Sequence, residues 1–155
     1  MSVETDQPAP DFSMPTDGGG HVSLADLKGK TVVLYFYPKD DTSGCTKEAI
    51  AFKEALADFE AAGAVIVGVS KDPVTKHDKF KTKHDLPFTL ASDADGDVCE
   101  RYGVWTEKSM YGKTYMGIER TTVLIDGAGV VRRVWPKVKV AGHAEAVLEA
   151  VRGLD

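Results

Sequence analysis

Thr31-Val-Val-Leu-Tyr-Phe-Tyr37, the run from Gly44 to Ala62, and Ala64-Val-Ile-Val-Gly-Val-Ser70 together decide the fold. The first stretch is β-branched and aromatic with no polar alternation, as in a strand buried on both faces, and Pro38 ends it. In the second, Ala49, Phe52, Leu56 and Phe59 recur at spacings of three and four, which predicts an amphipathic helix closed by Gly63. The third reads as another buried strand. Two such strands joined through a helix make a right-handed parallel βαβ unit.

Working outward, Phe12 to Met14 and His21 to Leu24 flank Asp17-Gly18-Gly19-Gly20, which predicts an N-terminal β-hairpin. Pro73 to His84 reads as a charged surface helix with Val74, His77 and Phe80 inward. Phe88 to Ser92 follows as a strand and Gly96 to Tyr102 as a short helix. Thr121 to Ile125 and Val130 to Trp135 flank Asp126-Gly127-Ala128-Gly129, a strong hairpin signal. His143 to Val151 closes the chain as a helix with Ala144, Val147, Leu148 and Val151 on one face. The order β-β-α-β-α-β-α-β-β-α predicts an α/β protein with a central mixed sheet and helices on both faces, compatible with a thioredoxin-like core.

The 155 residues suit one domain, residues 1–155. An apolar fraction of 43% and a charged fraction of 28% argue against disorder, collagen or a coiled coil. Nineteen Lys and Arg against 24 Asp and Glu give a net charge of −5, which leaves no footprint for nucleic acid or an anionic membrane. Met1 to Pro8 carries no basic and apolar signal pattern, and the longest apolar stretch, Ala61 to Val69, is too short to span a bilayer. A cytoplasmic, reducing environment is the expectation. The two cysteines, Cys45 and Cys99, can build neither a disulfide scaffold nor a structural zinc site, so they act as individual thiols.

Several motifs fail on spacing. Gly29-Lys30-Thr31 and Gly112-Lys113-Thr114 end like phosphate-binding loops, but Leu24 and Glu107 stand where glycine is required. Asp93, Asp95 and Asp97 begin like a calcium loop, but Val98 and Val104 replace its glycine and glutamate. His77 and His84 are seven apart and can share a helix face; with no ligand spacing they read as a solvated or partly buried pair. No metal and no cofactor is expected.

What remains is the surroundings of Cys45. It falls in the first turn of the long helix, directly after a buried strand. There the free amides and the positive end of the macrodipole favour a thiolate over a thiol, by roughly 1 kcal/mol, so a cation is also wanted nearby. Thr42, three residues earlier, stands at the N-cap, where its hydroxyl can face the same amides. Spacing alone leaves two readings open: a reactive thiol, or a plain junction with Cys45 packed as a small hydrophobe.

Pro38-x-x-x-Thr42-x-x-Cys45 resembles the active-site signature of peroxiredoxins. The wider run from Tyr37 to Glu48 is similar to the bacterioferritin-comigratory-protein, or PrxQ, subfamily. So are Ala9-Pro10-Asp11-Phe12, Ser92-Asp93, Tyr102-Gly103-Val104-Trp105 and Gly117-Ile118-Glu119-Arg120-Thr121-Thr122. The resemblance covers nearly the whole chain. It implies a thioredoxin-like fold and thiol-dependent reduction of hydrogen peroxide and organic hydroperoxides. It also implies regeneration by a reductant such as thioredoxin or a glutaredoxin-like protein, and a monomer or weak homodimer. Carried over by position, Cys45 is the peroxidatic cysteine, Thr42 holds the peroxide, Pro38 shields the pocket and Arg120 is the missing cation.

Members of that subfamily often carry a second, resolving cysteine. Its two usual places are Ile50 and Lys81 here, and neither can form a disulfide. Cys99 then has two readings: a buried small hydrophobe beside a one-cysteine enzyme, which is preferred, or an unconventional resolving cysteine. A peroxide sensor that passes oxidation from Cys45 to a partner is the alternative function.

Overall fold

The computed structural model describes residues 3–154. Met1 and Ser2, which begin the segment read above as carrying no signal, and Asp155 lie outside the described residues. An antiparallel pair, β1 (Ser13–Pro15) and β2 (His21–Ser23), opens the fold as the predicted hairpin. Next come β3 (Thr31–Phe36), α1 (Ser43–Ala61) and β4 (Ala64–Ser70). β3 and β4 pair in parallel, so the βαβ unit forms where the apolar runs predicted it. Gly63, at φ 81, takes the left-handed conformation that stops α1.

The chain continues through α2 (Val74–His84), β5 (Thr89–Ser92) and α3 (Val98–Arg101). After β6 (Trp105–Met110), β7 (Lys113–Ile118), β8 (Thr121–Ile125) and β9 (Val131–Trp135), it ends in α4 (His143–Arg152). The central sheet has the order β5-β4-β3-β8-β9. It is mixed, because β8 runs antiparallel to both β3 and β9 while β5 and β4 run parallel.

Strand β3 sits at the middle and feeds two cores by the period-two alternation of its side chains. Val33, Tyr35 and the following Tyr37 pack with Cys45 and Phe52 of α1, Phe80 of α2 and Val147 of α4. Val32, Leu34 and Phe36 pack with Phe12, Met14, Cys99 and Tyr102 on the opposite side. The helices are thus unevenly shared: α1, α2 and α4 line one face, and the short α3 with the N-terminal segment lines the other. Among the described residues no helix is long and apolar enough to cross a membrane.

The β6–β7 hairpin was not anticipated. Its turn, Tyr111-Gly112, has φ of 52 and 79, the two left-handed residues of a type I′ turn. Its strands are largely polar, and Tyr111 is 96% exposed, so no buried stripe marks them in the sequence.

Gly68 faces Tyr35 across the β3–β4 pair. A Cβ there would stand 2.8 Å from Tyr35 Cζ and 2.9 Å from its hydroxyl, while the ring itself is stacked on Phe52 at 4.8 Å between centroids. The ring has nowhere to retreat. Gly68→Ala is expected to cost about 1–3 kcal/mol by overpacking, read from urea unfolding midpoints; an unchanged midpoint would mean the ring shifts freely.

Candidate active site

Pro38 follows β3, half-buried, and the turn from Pro38 to Asp41 swings the chain into α1. Asp41 takes φ 60, an uncommon left-handed conformation for a residue with a side chain. Thr42 is the N-cap, in extended conformation. Its hydroxyl departs from the expected capping role: it donates to the Lys39 carbonyl at 2.9 Å and makes no capping bond to the helix amides. The first α1 bond that closes a full turn runs from Thr46 N–H to Thr42 carbonyl at 2.8 Å. The amides of Ser43, Gly44 and Cys45 therefore lack intrahelical partners, and Cys45 sits among them at the positive end of the helix.

Cys45 is 1% exposed. Arg120, 75 positions later, lies in the two-residue link between β7 and β8 and points Nη2 at Cys45 Sγ, 3.3 Å away. The link is pinned by Glu119 N–H to the Val104 carbonyl at 2.8 Å and by Val138 N–H to the Arg120 carbonyl at 2.9 Å. Gly44 makes room for the guanidinium, since a Cβ there would stand 3.1 Å from Nη2. The cation sought from the sequence is thus in contact with the sulfur.

The other end of the guanidinium reaches a residue to which the sequence reading gave no role. Arg120 Nη1 donates to Glu48 Oε1 at 2.6 Å, and Glu48 is 1% exposed. Its spacing of three from Cys45 puts both on one face of α1, which was the signal available in the sequence. Burial pushes the Glu48 carboxyl up to about 7, against the pull of Arg120. Among the described residues, Glu48 Oε2 and the Tyr35 hydroxyl are the buried side-chain oxygens without a hydrogen-bond partner. Burial, with Glu48 and Cys45 adding negative charge, pushes the Tyr35 phenol well up as well, so it stays neutral.

His77 and His84 share a face of α2 as read, and His77, read as inward, is fully buried. Its Nδ1 lies 2.5 Å from Asp40 Oδ2 and its Nε2 lies 2.9 Å from the Ala91 carbonyl. His84 Nε2 is 3.2 Å from Asp41 Oδ1. His143, bonded to the Thr122 hydroxyl at 2.7 Å, is pushed down to about 4 by burial and Arg120.

Cys99 does not join this site. It lies on α3, 0% exposed, in the core on the other face of the sheet, where Asp93 accepts its amide N–H at 2.8 Å. Burial first, and then Asp93, pushes the Cys99 thiol far up, so it stays protonated. Lys81 is ion-paired to Asp17 at 2.6 Å.

Set beside known proteins, residues 5–134 match the AhpC/TSA family. A Coxiella burnetii protein called a putative peroxiredoxin bcp is 58% identical, with 96% of this chain and 98% of the relative covered. Peroxiredoxin Bcp of Bacillus subtilis is 47% identical over 100% of this chain and 99% of its own. A solved Xanthomonas campestris bacterioferritin comigratory protein superposes with TM-score 0.87 at 46% identity, covering 91% of this chain and 90% of that one. That structure belongs to work on alkyl peroxide reduction from trapped intermediate and ligand complexes. The chain belongs to the AhpC/TSA family. Within it, the chain is a peroxiredoxin of the bacterioferritin-comigratory, or PrxQ, branch, with a thioredoxin-like fold, and so an enzyme that acts on peroxide.

A raised Glu48 carboxyl has a signed consequence for stability. Its folded-state value of about 7 lies above the ordinary 4.5, so the penalty for ionising it is absent at low pH and grows as pH rises between those two values. Glu48→Gln is therefore expected to gain about 2–3 kcal/mol on wild type between pH 5 and pH 8, read from urea unfolding at each pH. A pH-independent difference between the two proteins would show that Glu48 does not titrate there.

Proposed function

We propose that Cys45 is the peroxidatic nucleophile of a one-cysteine thiol peroxidase, with Arg120, Thr42 and Pro38 completing its pocket. The observation that carries the reading is Arg120 Nη2 at 3.3 Å from Cys45 Sγ, at the open amides of the α1 N-terminus. The cation and the amides favour negative charge on sulfur and, during reaction, on the oxygens of the bound peroxide. The thiolate attacks the terminal oxygen of a hydroperoxide. The S–O bond forms as the O–O bond breaks, sulfur is oxidised to sulfenic acid, and the alkoxide or hydroxide that leaves takes up a proton. A reductant thiol then displaces water from the sulfenic acid to give a mixed disulfide, and a second thiol releases Cys45 as a thiol.

Two facts favour the one-cysteine form. Cys99 belongs to the core across the sheet from Cys45, and a disulfide requires Cα atoms within about 7 Å. Lys81 and Ile50 occupy the other positions from which a resolving thiol would act. The reductant is then an external dithiol of the thioredoxin or glutaredoxin type. Residues 1–155 act as one unit, as a monomer or weak homodimer, in the reducing cytoplasm, where two unpaired thiols persist.

After one equivalent of hydrogen peroxide, intact mass is expected to show the gain of one oxygen in wild type and in Cys99→Ser, and no gain in Cys45→Ser. Loss of two hydrogens in wild type, abolished by Cys99→Ser, would establish an internal disulfide and overturn the one-cysteine form. Arg120→Ala is expected to slow peroxide consumption by roughly 100-fold or more, as for loss of one charge-stabilising donor. Consumption at the wild-type rate would remove Arg120 from the chemistry.

A further inference from the structure

On the one-cysteine reading, the sulfur that reduces Cys45 comes from another protein, and the surface beside Cys45 is covered in that encounter. One part of this surface is unlike the rest. Among the described residues, the large apolar side chains left exposed are Met110, Tyr111, Tyr115 and Met116. All four belong to the β6–β7 hairpin and its turn. The hairpin is a two-stranded sheet separate from the central one, and the link that follows it carries Arg120.

The register gives the hairpin two different faces. Thr106 stands opposite Gly117, Lys108 opposite Tyr115 and Met110 opposite Lys113, so these six share one face. Trp105, Met116 and Ile118 share the other, where Trp105 and Ile118 pack into the core that holds Cys99. On the first face, Gly117 lets the Lys108 stem lie across the strand, since a Cβ there would stand 3.1 Å from Lys108 Cδ. The ammonium so placed feels the site: burial and Arg120 lower its value, while Cys45 and Glu119 pull it upward. This face therefore looks to the Cys45 side. Among the described residues, neither Lys108 nor Lys113 has a carboxylate within ion-pair distance, although the chain carries a net charge of −5. Met110, Tyr111 and Tyr115 are 56%, 96% and 46% exposed and offer roughly 400 Å² of surface, about half of what each partner buries in a stable complex and in keeping with a brief redox encounter.

We propose that this face, Met110, Tyr111 and Tyr115 flanked by Lys108 and Lys113, is where the reducing partner docks: a dithiol protein that presents an apolar patch edged by carboxylates beside its reactive sulfur. The proposal rests on Cys45 being oxidised and then reduced from outside. The apolar side chains supply the desolvated contact, and the two ammonium groups set the orientation and speed of encounter. A small dithiol needs neither.

The test compares two kinds of reductant in hydrogen peroxide turnover. One is a protein, a bacterial thioredoxin kept reduced by its reductase and NADPH or a glutaredoxin kept reduced by glutathione; the other is dithiothreitol. Met110→Thr/Tyr111→Asn/Tyr115→Thr removes the apolar surface while keeping strand-forming residues and a left-handed turn. Its kcat/KM for the protein reductant is expected to fall roughly ten-fold, with kcat/KM for hydrogen peroxide and the dithiothreitol rate within about two-fold of wild type. Lys113→Glu is expected to lower the protein-reductant value several-fold. Raising salt from about 50 to about 500 mM is expected to slow the protein reductant and not dithiothreitol. Should the triple variant not fold, Tyr111→Asn alone is expected to lower the protein-reductant value roughly three-fold. Equal loss with both kinds of reductant, or an unchanged protein-reductant value, overturns the docking face. So does wild-type turnover with dithiothreitol but with neither protein. A wild-type dimer in sedimentation that the triple variant dissociates overturns it as well, and gives the face to a second copy of the chain. Failure of Cys45 to take up oxygen in intact mass would instead overturn the peroxidatic reading.

Discussion

One guanidinium is divided between a carboxylate and a sulfur, and most of the local architecture serves that division. Arg120 gives Nη1 to Glu48 and Nη2 to Cys45, both on the same face of α1. For this to happen, a link between two strands must meet the start of a helix that lies 75 positions earlier in the chain. The antiparallel pairing of β3 with β8 brings the two ends together, since Phe36 stands opposite Thr121, next to Arg120. Gly44 leaves the space, and the Glu119 and Val138 amide bonds fix the direction of approach. The two partners share one positive charge, and the Glu48 carboxyl still stays at about 7 because burial outweighs the pull of Arg120.

The parts of the fold that were legible in sequence are those that bury apolar side chains in a regular pattern. β3, α1 and β4 announce themselves through continuous or three-and-four-spaced apolar residues, and β8 and β9 through Asp126-Gly127-Ala128-Gly129 between two such runs. The β6–β7 hairpin was silent because its stability lies in backbone pairing, its faces are solvated, and Tyr111 occupies a left-handed position usually signalled by Asn or Asp.

The site was legible where residue type alone carries the chemistry, and not where a partner distant in sequence decides it. Cys45 and Arg120 could be placed through the resemblance to peroxiredoxins; their contact could not be derived from spacing. Thr42 was read correctly as the N-cap, yet its hydroxyl turns back to the Lys39 carbonyl, a choice set by the shape of the preceding turn. His77 could be read as inward, but its bonds to Asp40 and Ala91 could not, because these partners lie 37 positions before it and 14 after it. The two cysteines are 54 apart in sequence, and only the alternation of β3 side chains shows that a sheet stands between their surroundings.

The contact between Gly68 and the Tyr35 ring bears on how such a chain can change over time. A mutation that adds a side chain at position 68 meets an aromatic ring already confined by Phe52, so it loses stability as a first step. The same mutation is open once Tyr35 has become smaller. The order of substitution is therefore constrained, with a smaller residue at 35 arriving before a side chain at 68.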